Sequence, residues 1–152
     1  MQCSSDTFLS VVQVKSVSSH PLPEYKTPEA SGMDLHANLE EDVVLESLER
    51  RLIPTGLFIA MPEGMEAQIR PRSGLAFNSG ITVLNAPGTV DSDFRGQLGV
   101  LLVNLSKESV TIRNGDRIAQ IVFAPTLRVT WERAKELDQT KRGMGGFGST
   151  GV

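Results

Sequence analysis

The side chains best suited to chemistry lie in a central segment of the chain. Arg72–Gly74 follows a predicted strand, and a helical turn there would point free N–H groups at an anion. Asn85 offers both a hydrogen-bond donor and an acceptor, which suits the edge of a nucleobase. Asp91 and Asp93 are two residues apart and would share a face of a strand. Both could equally be solvated loop carboxylates.

A second candidate region is the glycine-rich tail from Lys141 to Gly151. Its Gly143-x-Gly145-x-x-Gly148 spacing matches a dinucleotide-binding pattern, but the strand, helix and later acidic residue which that site requires are missing. A disordered tail is the simplest interpretation. Alternatively, an arginine, an aromatic ring and two hydroxyls on a glycine-rich strip could wrap a phosphorylated ligand. Those residues are Arg142, Phe147, Ser149 and Thr150.

Composition narrows the classes of protein to consider. The 152 residues fit one domain, and the net charge of -3 argues against general nucleic-acid binding. The single cysteine, Cys3, permits no internal disulfide and suits a reducing compartment. No apolar run approaches the ~18 residues of a membrane span, and the polar N-terminus lacks a signal-peptide core. We expect a cytoplasmic protein; a nuclear location would also fit a eukaryotic source.

Alternation of apolar and polar residues predicts an all-β sandwich or barrel. The predicted strands are Val12–Val14, Leu52–Met61, Met65–Ile69, Ile81–Leu84, Leu98–Val103, Val110–Ile112 and Ile118–Phe123. Leu98–Val103 is nearly all apolar, which indicates burial on both faces, and strands flanking Ala86-Pro87-Gly88 should form a hairpin. One helical turn is expected at 72–77 and a short helix at 132–138. The chain divides into a catalytic domain, 1–131, and a C-terminal arm, 132–152.

Five segments, in order, resemble the five motifs of the trimeric dUTP pyrophosphatases. They are Ala30–Leu35, Pro71–Ala76, Gly80–Gly96, Gly115–Gln120 and Arg142–Gly151. The resemblance implies a jelly-roll-like subunit in a homotrimer, with the arm of one chain closing a site formed by others. It also implies hydrolysis of dUTP to dUMP and pyrophosphate with Mg²⁺. Such an activity limits uracil incorporation into DNA and supplies dUMP for thymidylate synthesis.

The resemblance assigns roles to individual residues. Asn85, Gly88, Thr89, Val90, Asp91 and Gly99 would recognise uracil and deoxyribose, and Asp91 would also orient the attacking water. Arg72, Ser73, Gly74 and Gln120 would bind phosphate oxygens. Phe147 with Gly148 would cover the uracil, while Arg142, Ser149 and Thr150 would hold the terminal phosphates. Asp34 would act near the metal through water. His20 and His36 have no partner at metal-ligand spacing and are interpreted as structural.

Phe94 departs from the family pattern, which usually has tyrosine here. The ring that packs on deoxyribose and excludes a 2'-hydroxyl is kept, and the phenolic group is lost. Three rival interpretations remain: a dCTP deaminase, which would need a glutamate beside the hairpin; an aspartic protease, which would need glycine at Asp93; and a non-catalytic nucleotide-binding trimer.

Overall fold

A computed structural model describes residues 10–146, which form ten strands and one short helix. Cys3 and the tail residues Phe147, Gly148, Ser149 and Thr150 lie outside this range. The elements are β1 (Gln13–Ser16), β2 (Met33–His36), β3 (Val43–Leu45), β4 (Arg50–Ala60), β5 (Met65–Arg70), α1 (Ser73–Ser79), β6 (Ile81–Val83), β7 (Gly88–Val90), β8 (Gln97–Asn104), β9 (Val110–Ile112) and β10 (Arg117–Pro125).

Two four-stranded antiparallel sheets carry most of the structure. One has the strand order β1-β4-β8-β6, the other β2-β10-β5-β7, and β3 pairs with β9 in a small third sheet. The predicted all-β architecture is therefore confirmed. All seven predicted strands are present, and the turn expected at 72–77 is α1.

The inner faces of the strands form one apolar core. Its fully buried side chains include Leu35, Leu45, Ile53, Ile81, Val100, Leu102, Ile112 and Ile118. Asn104 is a buried polar member whose Nδ2 donates to the carbonyls of Leu45 and Glu108 at 2.9 and 2.8 Å. Burial of β8 on both faces is found only at its C-terminal end, because Gly99 and Leu101 remain partly exposed. That prediction was therefore right for only part of the strand.

The predicted hairpin around Ala86-Pro87-Gly88 is wrong. β6 pairs with β8 in the first sheet, whereas β7 pairs with β5 in the second, so the turn crosses between sheets. This crossing lets Ile81 and Val83 face the core from one sheet while Val90 packs against it from the other. Local turn residues indicate that the chain reverses, but they do not indicate which strand each arm will pair with.

β7 ends at Val90, which alters the arrangement of the two aspartates. Asp91 to Phe94 form a turn, closed by the Phe94 N–H donating to the Asp91 carbonyl at 3.1 Å. The prediction that Asp91 and Asp93 share a strand face is therefore wrong, because both lie in this turn and not in a strand.

No helix is present at 132–138, so that prediction was also wrong. After β10 ends at Pro125, residues 126–146 contain neither strand nor helix and are mostly exposed. A segment of seven residues is too short to hold a helix without packing, and Leu137 is 85% exposed. In the described part of the chain, no helix could cross a membrane.

Leu48 has an unfavourable backbone conformation, in the turn between β3 and β4. Its φ is 65°, in the left-handed region, and its side chain is 72% exposed. The conformation is held by the Leu48 N–H donating to the Asn104 carbonyl at 2.7 Å and by the Glu49 N–H donating to the Glu46 carbonyl at 3.0 Å.

Leu48→Gly should stabilise the protein by roughly 0.5–1 kcal/mol, because relief of left-handed strain outweighs the extra freedom of glycine in the unfolded chain. Urea unfolding would measure the change in midpoint. Leu48→Ala is the matched control, since it removes the exposed side chain but keeps the Cβ. An equal gain from alanine would show that backbone strain is not the cause.

Candidate active site

One cavity brings together five of the predicted base- and sugar-binding residues. It has a volume of about 280 Å³ and is lined by Leu52, Thr89, Val90, Asp91, Phe94, Gln97, Leu98 and Gly99. β7 and the turn after it supply one wall, while β4 and β8 supply the other. Leu52, Gln97 and Leu98 were not among the predicted site residues, since nothing in their local pattern distinguishes them from other strand residues.

A register shift between β4 and β8 shapes this cavity. The pairing shifts between Pro54 and Phe58, and the Thr55 hydroxyl donates to the Leu98 carbonyl at 2.7 Å where the ladder is interrupted. Gly99 pairs with Pro54, and a Cβ on Gly99 would lie 2.8 Å from Cδ1 of Leu52. The absence of a side chain at 99 thus leaves room beside Leu52 at the cavity wall.

Phe94 lies against the backbone of Gly96. A Cβ at position 96 would be 2.5 Å from Cζ of the ring, so only glycine permits this placement. The ring is 43% exposed and forms part of the cavity lining. An aromatic surface next to Asp91 and Thr89 is therefore available to a ligand.

Asn85 lies in the turn before the cavity, and Gly88 is the first residue of β7. Nδ2 of Asn85 would be 3.1 Å from a Cβ on Gly88, so the amide side chain lies close over that glycine. Asn85 is exposed, and its side chain can reach a ligand from solvent.

A second cluster joins Asp34, Arg72 and Arg117. Oδ1 of Asp34 accepts a hydrogen bond from Nε of Arg72 at 2.8 Å, and Oδ2 accepts one from an Arg117 guanidinium nitrogen at 3.3 Å. Asp34 and Arg72 are largely buried, with side chains 17% and 26% exposed. Because two guanidinium groups share one carboxylate, the cluster has a net positive charge suited to phosphate. Ser73 and Gly74 follow at the exposed start of α1.

The register of β10 places these charges together. Gln120 pairs with Asp34 on β2 and with Arg70 on β5. A bulge between Arg117 and Ala119 allows Ile118 and Ala119 both to be buried, while Arg117 reaches the side on which Asp34 lies. Arg117 was not among the predicted site residues, although it lies within the Gly115–Gln120 motif. A bulge is not visible in the alternation of residue types.

The two histidines lie side by side, away from any metal-binding set. Their ring centroids are 5.9 Å apart, and Nε2 of His20 is 2.9 Å from Oδ1 of Asn114. Burial is the largest of the effects that lower the pKa of His36, followed by the charge of His20. Over residues 10–146 no group of three or more His, Cys, Asp or Glu side chains could hold a metal ion.

Comparison with known proteins identifies the family. The dUTPase family model matches residues 18–151. The chain is 56% identical to the deoxyuridine 5'-triphosphate nucleotidohydrolase of Cytophaga hutchinsonii, covering 92% of this chain and 91% of that protein. The chain belongs to the dUTPase family. A protein of the same name from Ehrlichia canis is 50% identical over the full length of both.

A solved dUTPase structure has the same fold. The structure of a mutant of the Staphylococcus bacteriophage 80alpha dUTPase with dUpNHpp superposes with a TM-score of 0.80 at 26% identity, covering 93% of this chain and 99% of that one. The expected dUTPase-like fold is thereby confirmed, and the aspartic-protease interpretation is excluded by family membership.

The Asp34 cluster should contribute measurably to stability. Asp34→Ala leaves two arginines close together without their shared carboxylate, and we expect a loss of about 1–3 kcal/mol. Urea unfolding would measure it. Asp42→Ala is the control, because Asp42 and Arg113 are 3.7 Å apart with side chains 56% and 65% exposed, and such pairs contribute little. Equal losses in both variants would contradict a special role for Asp34.

Proposed function

We propose that this chain hydrolyses dUTP to dUMP and pyrophosphate. The observation that carries the proposal is the cavity in which Thr89, Val90, Asp91, Phe94 and Gly99 meet, in a chain of the dUTPase family. The curated relatives with 50–56% identity bear the name of this activity. Its consequence in the cell is less dUTP for incorporation into DNA and more dUMP for thymidylate synthesis.

Uracil and deoxyribose would bind in this cavity. Asn85 and the backbone groups of Gly88 to Asp91 would pair with the edge of uracil, and the Phe94 ring would pack on the sugar. Backbone groups matched to uracil would be left unpaired against cytosine, and mismatches of this kind discriminate by roughly 10⁴–10⁵. The Phe94 ring would exclude a 2'-hydroxyl sterically, so the missing phenolic hydroxyl is not required for this.

The triphosphate would lie against Arg72, Ser73, Gly74 and Gln120. The net positive Asp34 cluster supports this assignment, since Asp34 fixes Arg72 by a 2.8 Å hydrogen bond before ligand arrives. A preorganised guanidinium loses little freedom on binding phosphate. Arg117, which is 54% exposed at the same carboxylate, adds positive charge to this side of the site.

Asp91 would orient a water molecule for in-line attack on the α-phosphorus. A new P–O bond forms to this water, the bond to the pyrophosphate oxygen breaks, and the Asp91 carboxylate accepts the proton. Asp91 is exposed, and no described residue donates a hydrogen bond to its side chain. Its oxygens are therefore available to a water molecule.

Magnesium fits these residues as an ion carried chiefly by the substrate. Both oxygens of Asp34 already accept hydrogen bonds from arginines, and the described residues offer no set of three acidic ligands. Mg²⁺ usually keeps several waters and binds substrate phosphates, and Asp34 would contact it through water. When bound, the ion would neutralise charge on the triphosphate oxygens.

The arm would complete the site of another subunit in a homotrimer. Arg72 is not among the residues lining the Asp91 cavity, which supports a site assembled from more than one chain. Arg142, whose Nε now donates to the Gly145 carbonyl at 2.8 Å, would contact the terminal phosphates together with Ser149 and Thr150. Phe147, with Gly148, would cover the uracil. We retain residues 1–131 as the catalytic domain and 132–152 as this arm.

A row of leucines on the outer face of the first sheet supports self-association. Leu52 pairs with Leu101, and the Leu84 N–H donates to the Leu101 carbonyl at 2.8 Å. Leu52 is 67% exposed and Leu84 49% exposed. Contiguous exposed apolar surface of this kind can mark a protein–protein interface, although Leu52 also lines the 280 Å³ cavity.

Separate incubation with dUTP, dTTP, dCTP and UTP in the presence of Mg²⁺ tests the activity. We expect pyrophosphate and dUMP from dUTP and negligible product from the others. Ammonia release from dCTP would instead indicate a deaminase, and binding without turnover a non-catalytic protein. Comparable rates with UTP and dUTP would contradict the role given to Phe94.

Asp91→Asn should abolish most turnover of dUTP, because an amide cannot accept the proton from water. Asp93→Asn is the matched control: it changes the same charge two residues away, outside the set that lines the 280 Å³ cavity. We expect its steady-state rate to stay close to the parent's. Equal losses of turnover in the two variants would show that the negative charge of the turn matters, and not proton acceptance by Asp91.

Sharing of each active site between subunits can be tested by combining Asp91→Asn with a second variant, Arg142→Ala. Arg142→Ala should lower turnover by roughly 10³–10⁵, by analogy with arginine fingers. Coexpression of Asp91→Asn and Arg142→Ala chains should restore activity, since some mixed sites receive both intact residues. Absence of restoration in verified mixed trimers would place both residues in one chain's site.

A further inference from the structure

Gly32 lies where a side chain would collide with Gln120. A Cβ built on Gly32 would be 2.6 Å from Oε1 of Gln120, 3.4 Å from its Cδ and 3.2 Å from Cγ2 of Val122. Gly32 is not among the glycines with positive φ, so its backbone conformation does not demand glycine. What the position requires is the space that the Gln120 carboxamide occupies.

That carboxamide anchors the chain just before Arg72–Gly74, the proposed phosphate-binding turn. Nε2 of Gln120 donates to the Pro71 carbonyl at 3.0 Å, in a partly buried position. Pro71 directly precedes Arg72, which caps α1, and Ser73 is the first residue of the helix. Arg72 caps this helix without a side-chain hydrogen bond of its own. The hydrogen bond from Gln120 therefore anchors the backbone immediately before the turn.

We propose that Gly32 is a positioning residue for the phosphate-binding turn. By having no side chain, it leaves room for the Gln120 carboxamide beside it to hold the Pro71 carbonyl, and thereby orients Arg72, Ser73 and Gly74. This inference rests on the proposed function. A substrate contact by Gln120 is compatible with it, because Oε1 makes no hydrogen bond within residues 10–146.

Gly32→Ala should impair binding more than folding. The nearest obstacle to the new methyl is the far end of a flexible side chain, which can rotate away cheaply. Rotation breaks the hydrogen bond to Pro71 and frees the turn. Because the turn would bind phosphate in both the ground state and the transition state, KM for dUTP should rise by about tenfold while kcat stays within about threefold. The melting temperature should change little.

A double-mutant cycle with Gln120→Ala identifies the cause. Once the carboxamide is gone, Gly32→Ala should raise KM no further. If the methyl acted instead by pressing on Val122, its effect would persist in the Gln120→Ala background and would be relieved by Val122→Ala. Either result would overturn the proposal. Ser31→Ala, an exposed neighbour, is the control and should leave KM unchanged.

Hydrogen exchange in the ligand-free protein gives a readout that does not depend on turnover. Gly32→Ala should speed exchange of the Ala76 amide, which donates to the Arg72 carbonyl at 3.0 Å, by about tenfold, and Ser31→Ala should not. Unchanged exchange would refute the positioning role even if the parent hydrolyses dUTP. A parent that fails to hydrolyse dUTP but shows the exchange effect would refute the proposed function alone.

Discussion

The register of β10 between β2 and β5 is the constraint on which the polar half of the site depends. It sets Gln120 opposite Asp34 on one side and Arg70 on the other. Because side chains alternate along a strand, a slip by one residue would turn Gln120 into the core and expose Ile121, which is only 3% exposed. Burial of the apolar residues Ile118, Ala119 and Ile121 thus fixes the register. That register in turn fixes the row of polar residues Asp34, Gln120 and Arg70, which bury little apolar surface themselves. The bulge before Ala119 then adds Arg117 to that row.

The two halves of the site are supported by different parts of the fold. The cavity beside Phe94 is formed where β7 of one sheet approaches β4 and β8 of the other. The arginine cluster lies on the sheet that contains β2, β10 and β5. The crossing at Ala86 and Pro87 connects them, because the chain passes there from the first sheet to the second. Within one chain the common apolar core holds the two halves in a fixed relation, whereas in the proposed trimer one ligand would contact halves supplied by different chains.

The sequence predicted those features that depend on local pattern. Strands such as Met65–Arg70 and Val110–Ile112 have apolar residues at alternate positions, and the period of two was sufficient to find them. The strands Met33–His36 and Val43–Leu45 were not predicted, and Val43–Leu45 is apolar throughout, so it shows no alternation. The pairing partners of β6 and β7 depend on distant strands, so the hairpin prediction failed. Asp34 and Gln120 were selected by family resemblance, and Arg72 also by its place after a predicted strand. Their contacts, and the inclusion of Arg117, follow from long-range pairing.

Two glycines that have no proposed contact with the ligand orient side chains of the proposed site. Gly32 and Gly96 each leave a space that a neighbouring side chain fills, Gln120 in one case and Phe94 in the other. In both cases a methyl group would overlap the end of that side chain rather than the backbone, so the fold could survive the change while the side chain moved. Selection for stability alone would then act weakly at these positions. Selection for the orientation of Gln120 and Phe94 gives a physical reason why glycine occupies positions 32 and 96. It also explains why each glycine lies inside a motif whose other residues carry the polar groups.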